Sequence, residues 1–177
     1  MRMPEHIHTE RLHLRVPQMD DAVAIFQGWA QDHEVTRYLT WRPHERIEQT
    51  QEFVRSCLSA WEHGRRFPYM ITLKENGNII GMIDPRMEGH KVGIGYGLAR
   101  AHWGKGYVTE ATRAIIDWAF QQPSIHRVYA TTDVDNIASR RVLEKAGMQC
   151  EGILRKYILH PNISETPRDS YMYAITK

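Results

Sequence analysis

Residues 94–112 run IGYGLARAHWGKGYVTEAT, an apolar strand-like stretch that gives way to Gly104-Lys105-Gly106 and then at once to a helix-like pattern. Two glycines and a lysine at such a passage suit one of two purposes. The first is only a tight connection. The second is a cradle for an anion, because a helix start presents unpaired N–H groups and the positive end of the helix dipole. Glycine serves the cradle because a Cβ would hold the backbone away from the anion's oxygens. Just upstream, Gly93, Gly95 and Gly97 alternate along the strand. Three glycines weaken a strand, so they mark either a bulge or a close approach of the backbone to something else. Downstream, Asn136 and Ser139 stand at another strand-to-helix junction, three residues apart and so on one face of the first turn. Asn136 is suited to cap that helix.

Two familiar nucleotide motifs do not fit. A Walker-type loop needs Gly-x-x-x-x-Gly-Lys followed by Ser or Thr, whereas Lys105 is followed by Gly106, and Leu98 and Ala99 stand where the leading glycine belongs. A dinucleotide fingerprint needs Gly-x-Gly-x-x-Gly opening a βαβ unit, but here the alternating glycines lie inside the strand, well before the helix. The ten histidines include no His-Glu-x-x-His set or similar close spacing, and His6 and His8 read as a polar tail. No metal is expected.

These residues need a scaffold, and 177 residues with 42% hydrophobic and 25% charged content make one soluble globular domain, spanning 1–177, with a core that needs no staples. The formal charge of +2 is too mild to argue for nucleic acid. No apolar run reaches the roughly 18 residues of a membrane span, and MRMPEHIHTERLHLRV lacks a signal peptide's apolar core. A cytoplasmic protein is expected. Cys57 and Cys150 both fall in apolar-patterned segments and read as reduced core residues.

Period-2 alternation at Leu12, Leu14 and Val16 predicts a strand, and Asp20 is placed to cap a helix carrying Val23, Ile25 and Phe26. Residues 31–46 have no clean period. A long helix begins near Ile47, with Phe53, Val54, Cys57, Leu58 and Trp61 on one side. Asn76-Gly77 between two apolar runs predicts a hairpin over 69–83, with a turn at 84–90 before the glycine-rich strand 91–98. A helix over 108–122 stops at Pro123, a strand covers 127–132, and a helix from Asn136 to Lys145 ends where Gly147 suits a left-handed residue. Strands over 148–158 and 170–175 close the chain. The class is α/β (α+β), a mixed sheet of about seven strands flanked by about four helices.

The combination resembles the GNAT superfamily of N-acetyltransferases. Ala101-His102-Trp103-Gly104-Lys105-Gly106 fills the slot of its acetyl-CoA motif, followed by Tyr107-Val108-Thr109-Glu110-Ala111. The segment from Asn136-Ile137-Ala138-Ser139 through Lys145-Ala146-Gly147-Met148, with Glu151-Gly152-Ile153-Leu154-Arg155, is similar to the Rim-type ribosomal-protein N-terminal acetyltransferases. So is the opening Thr9-Glu10-Arg11-Leu12-His13-Leu14-Arg15.

The resemblance implies an acetyl-CoA site built from Tyr96, Leu98, Trp103, Gly104 and Lys105, continuing through Gly106, Tyr107 and Val108 to Asn136 and Ser139. The pyrophosphate would lie on the N–H groups of 104–108, an N–H near Leu98 would polarise the thioester carbonyl, and Asn136 would hold the pantetheine arm. Ser139 would face the sulfur and stabilise or protonate the leaving thiolate. The acceptor would be an amine, and by branch the N-terminal α-amine of a protein, with loops 31–46, 84–90 and 156–169 recognising it through residues such as Glu34, Tyr38, Trp41, His44, Asp84 and His90. A monomer or homodimer is expected, with neither nucleic acid nor membrane as a partner. Three positions depart from the family pattern. Ala101 replaces a Gln or Arg, Leu143 stands where many members carry a tyrosine acid, and Gly93-Ile94-Gly95-Tyr96 lacks a frequent glutamate. No general base is assigned, and two alternatives stay open: a non-catalytic acyl-CoA-binding domain, and an acetyltransferase for a small-molecule amine.

Overall fold

The computed structural model describes residues 2–177, and its central feature is an eight-stranded sheet in the order β1-β2-β3-β4-β5-β6-β8-β7. The strands are β1 (His6–His8), β2 (Leu12–Arg15), β3 (Tyr69–Leu73), β4 (Ile79–Glu88), β5 (Lys91–Leu98), β6 (Arg127–Asp133), β7 (Gln149–Ile158) and β8 (Arg168–Thr176). The helices are α1 (Asp21–Ile25), α2 (His33–Thr36), α3 (Ile47–His63), α4 (Tyr107–Gln121) and α5 (Ile137–Lys145). Every neighbouring pair is antiparallel except β5 and β6.

The sheet is covered on both faces. One layer of core packs Ile94 and Leu98 of β5 and Val128 and Ala130 of β6 against Ala111, Ile115, Ala119 and Leu143 of α4 and α5. The other packs Met70 and Met82 against Ile25 of α1, Trp29 of the turn that follows it, and Val54 and Cys57 of α3. In α3 the buried residues Val54, Cys57 and Trp61 recur at three- and four-residue steps, the stripe that the sequence predicts. Gly64, with φ of 70°, ends the helix in the left-handed region.

The expected class holds, and several expectations change in detail. His6 and His8 form β1 rather than a polar tail, because their backbone pairs with Arg15 and His13 of β2. The predicted turn at 84–90 is mostly strand, since β4 pairs with β5 from Gly81 to Glu88. Asp20 makes no cap; Asp21 accepts from the Gln18 N–H at 2.7 Å and pairs with Arg15 instead. Cys57 is buried as expected, but Cys150 is exposed, because β7 is an edge strand that leaves nearly all its side chains in solvent. Among the described residues no helix is long and apolar enough to cross a membrane.

The N-terminal hairpin is fastened to the start of α4 by Glu110. Its carboxylate accepts from Thr9 Oγ1 at 2.6 Å, from the Arg11 N–H at 2.9 Å and from Arg11 Nε at 2.7 Å. Burial pushes the Glu110 pKa up, but these hydrogen bonds and the Arg11 charge outweigh it and hold the group below the ordinary 4.5. A depressed folded-state pKa contributes stability that is present above the unfolded value and lost as pH falls through the folded one. Glu110→Gln is therefore expected to cost about 1–2 kcal/mol at pH 7, a figure discounted for solvent screening of Arg11. Urea denaturation of parent and variant should show that difference shrinking as the pH drops below about 4.5.

Candidate active site

The parallel ladder between β5 and β6 is short. It registers Lys91 with Arg127, Val92 with Val128 and Gly93 with Tyr129, and then the strands part while β6 stays paired with β8 as far as Asp133. The direction of the freed backbone groups follows from the other side of β5. The Ala99 N–H donates to the Ile80 carbonyl at 2.8 Å, in register with the β4–β5 ladder. Successive residues of a strand turn their backbone groups to opposite edges. Tyr96 and Leu98 therefore point their N–H groups into the gap that opens toward β6. The glycines of β5 lie in an unbroken register, so no bulge explains them. At Gly93 a Cβ would come within 2.9 Å of the Tyr129 ring, a close approach that requires glycine.

At the far end of β5 a short turn, Arg100–His102, leads to the glycine loop. Trp103 Nε1 donates to the Leu98 carbonyl at 2.7 Å, which ties the loop to the strand and leaves the Leu98 N–H to the gap. The Trp103 ring is exposed, as are Gly104, Lys105 and Gly106. Gly104 and Gly106 have φ of 75° and 80°, which side-chain-bearing residues rarely adopt. The first intrahelical bond of α4 runs from the Glu110 N–H to the Gly106 carbonyl at 3.0 Å. Tyr107, Val108 and Thr109 precede it, so their N–H groups have no partner within the helix. Arg11 steadies this corner from outside, donating to the Lys105 carbonyl at 2.9 Å and lying 4.6 Å from the Tyr107 ring centroid. The loop thus offers several N–H groups, a helix dipole and nearby cations, a combination that holds phosphate oxygens.

Across the gap, Asn136 caps α5 by accepting from the Ser139 N–H at 3.1 Å. Ser139 Oγ lies 2.8 Å from the Tyr96 hydroxyl, so β5 and α5 meet through a pair of hydroxyls. Burial raises the Tyr96 pKa well above the ordinary tyrosine value, with the Ser139 hydrogen bond pulling the other way. The phenol therefore keeps its proton at neutral pH and remains a donor. Leu143, in the place of the family tyrosine, is fully buried.

Of the ten residues expected for the site, Tyr96, Leu98, Asn136 and Ser139 lie on β5 and at the start of α5, Trp103 to Tyr107 form the glycine loop and the start of α4, and the Val108 side chain packs into the core. What the sequence did not reveal is the Tyr96–Ser139 pair, because no local pattern links positions 43 apart. The Arg11–Glu110 brace escaped for the same reason.

The expected acceptor loops fare unevenly. Tyr38 reaches the Asp135 carbonyl through its hydroxyl at 3.3 Å, and neighbouring Leu39 lies 3.9 Å from where a Cβ of Gly97 would be. Asn162 fastens the same loop by donating to the Thr36 and Trp41 carbonyls at 2.7 and 2.8 Å. Asp84, by contrast, is buried within β4 and pairs with Arg66 and Arg86. His44 bonds Thr50 Oγ1 at 2.7 Å and packs on Trp41, a structural role.

Comparison with known proteins identifies the family. The acetyltransferase (GNAT) domain family matches residues 11–149. N-acetyltransferase p20 of Bacillus licheniformis is 33% identical, over 98% of this chain and 97% of its own. RimJ of Mycobacterium smegmatis, solved in complex with CoA-disulfide, superposes with a TM-score of 0.82 at 26% identity, covering 93% of this chain and 81% of that one. RimL, a ribosomal L7/L12 alpha-N-protein acetyltransferase solved with coenzyme A, has a TM-score of 0.83 at 22% identity, covering 97% and 98% of the two chains, and shares the fold. With the family match spanning most of its length, the chain belongs to the GNAT acetyltransferases and is an N-acetyltransferase.

Proposed function

We propose that this N-acetyltransferase takes its acetyl group from acetyl-CoA and passes it by direct attack to the N-terminal α-amine of a peptide or protein. The observation that carries the reading is the parting of β5 from β6 beside the glycine loop. It leaves the Tyr96 and Leu98 N–H groups free to meet a thioester oxygen, beside a loop whose N–H groups suit phosphates. In this reading the pyrophosphate rests on the N–H groups of 104–108, with Lys105 adding charge. The pantetheine amides pair with the freed edge of β5, and Asn136 adds its amide while capping α5.

The amine nitrogen attacks the thioester carbon, and the developing oxyanion is met by the Leu98 N–H. The C–N bond forms, the C–S bond breaks, and the sulfur leaves as a thiolate. Ser139, backed by the protonated Tyr96, is placed to donate to it. An α-amine suits this site because its pKa, near 8, leaves part of it unprotonated at pH 7, whereas a lysine or polyamine near 10.4 does not. RimJ and RimL, solved with forms of CoA, support the donor, and RimL's alpha-N-protein substrate supports the acceptor class. The formal charge of +2 adds to this, since a polycation gains nothing from such a surface.

Thiol release from acetyl-CoA should be measured with Ala- and Ser-starting peptides beside spermidine and aminoglycosides. Peptides are expected to be preferred. Much faster acetylation of the polycations would refute the acceptor assignment.

A further inference from the structure

Asp133 ends β6 on the side of the sheet where Gly93 meets Tyr129, since residues two apart on a strand share a face. Its side chain is fully buried and is gripped by Arg168, through Nε at 2.7 Å and Nη2 at 3.1 Å. Burial raises the Asp133 pKa, but the Arg168 hydrogen bonds outweigh it and keep the carboxylate ionised. His160, from the segment after β7, sets its Nε2 at 3.8 Å from Asp133 Oδ2 and is 4% exposed.

Neither ring nitrogen of His160 has a hydrogen-bond partner among the described residues, and neither has Ser170 Oγ, which belongs to the cross-strand partner of Asp133. Two buried, unpaired polar side chains beside one carboxylate are costly unless something joins them. A water molecule making two to four hydrogen bonds is the usual solution. The place is also telling. Tyr38 presents its edge to the His160 ring at 6.3 Å between centroids and bonds the Asp135 carbonyl, while Leu39 covers Gly97. His160 thus packs on the loop that covers Gly97, on the face of the sheet opposite the Tyr96–Ser139 pair.

We propose that His160 is the proton acceptor for the attacking amine, reached through a water held between its ring and Ser170 Oγ, with Asp133 steadying the imidazolium. This rests on the acetyl-transfer reading above and fills the role left open by the glycine at position 93. The acceptor ammonium gives one proton to the water as the water gives one to the ring. The freed nitrogen lone pair forms the C–N bond, the second N–H proton passes to the departing thiolate as the C–S bond breaks, and the ring later returns its proton to solvent. Imidazole suits the task because it exchanges protons near neutral pH. The charged group facing it is Asp133 of β6, itself paired with Arg168 of β8, which also bonds Asp135, and Tyr38 is the neutral neighbour.

The test compares kcat/KM for an Ala-starting peptide across pH in the parent, His160→Gln and Ser170→Ala. The parent should lose activity as pH falls. His160→Gln should lose roughly 100-fold at pH 7, with its profile moved up toward the ionisation of the free amine. Ser170→Ala should lose about tenfold. Both variants should bind CoA as the parent does, which shows that they are folded. A folded His160→Gln with the parental profile overturns the proposal. Nitrogen-15 NMR of the His160 ring in the CoA complex decides independently of turnover. A ring found doubly protonated in the resting complex at about pH 7, and so unable to accept a proton, also overturns it, whichever acceptor the enzyme uses. Failure of the parent on peptides alone would count against the acceptor reading, while the NMR of the ring would still decide the role of His160.

Discussion

Ser139→Ala should lower turnover roughly 10- to 100-fold while acetyl-CoA affinity stays nearly unchanged. A thiol of this type has a pKa of about 8.5, so the departing thiolate needs modest help. One hydroxyl hydrogen bond to a charged sulfur contributes on the order of 1.5–3 kcal/mol. The thioester is neutral in the ground state, so binding gains little from that hydroxyl and loses little with it. The 2.8 Å contact with Tyr96 sharpens the expectation. Tyr96→Phe removes the hydroxyl that orients the serine and should cost a similar or smaller factor. The double variant should cost less than the product of the two, because the hydroxyls act as a unit. Steady-state kinetics on the three variants measure this. A Ser139→Ala enzyme that turns over like the parent would reduce Ser139 to a helix residue and leave the proton to Tyr96 or solvent. Asn136→Ala should behave differently, weakening both CoA binding and the helix cap.

The second large effect is expected at the glycine loop. Gly106→Val should raise the CoA dissociation constant at least tenfold, about 1.4 kcal/mol, in a domain that still folds. With φ of 80°, the position penalises a β-branched side chain by about 1–2 kcal/mol, and the loop will relax away from the geometry that gathers its N–H groups. Space is not the obstacle. A Cβ there would meet only Arg11 Nη2 at 3.5 Å, an ordinary contact. Gly77→Val makes the control, since Gly77 has φ of 73° and open space but sits in the remote β3–β4 turn. It should lose comparable stability and bind CoA normally. Equal calorimetric affinity for folded Gly106→Val and parent would place the phosphates elsewhere.

Much of this architecture was legible because its signals are local. The stripe at Val54, Cys57 and Trp61, the turn at Asn76-Gly77 and the cap at Asn136 each depend on residues within a few positions of one another. So does the glycine loop, whose left-handed residues announce themselves by type. What stayed hidden depends on partners far apart in sequence. The His6–His8 strand exists because β2 offers an edge to pair with, and its own composition does not demand a strand. Cys150 looks apolar enough for the core, yet β7 lies at the sheet's edge, a fact of topology rather than of pattern. The grouping of Asp133, His160 and Ser170 joins three segments that only the folded chain brings together. The candidate site was thus readable where backbone chemistry makes it, and obscure where side chains from distant segments complete it.

Direct transfer of acetyl to an α-amine is tested most plainly by incubating the purified protein with acetyl-CoA and a peptide carrying both a free Ala N-terminus and an internal lysine. Tandem mass spectrometry then locates the acetyl group. The expected product is the α-amine acetylated, matched one for one by released CoA thiol and nearly absent in Ser139→Ala over the same interval. Acetyl appearing on the lysine alone, or CoA bound tightly with no thiol released to any amine, would contradict that mechanism.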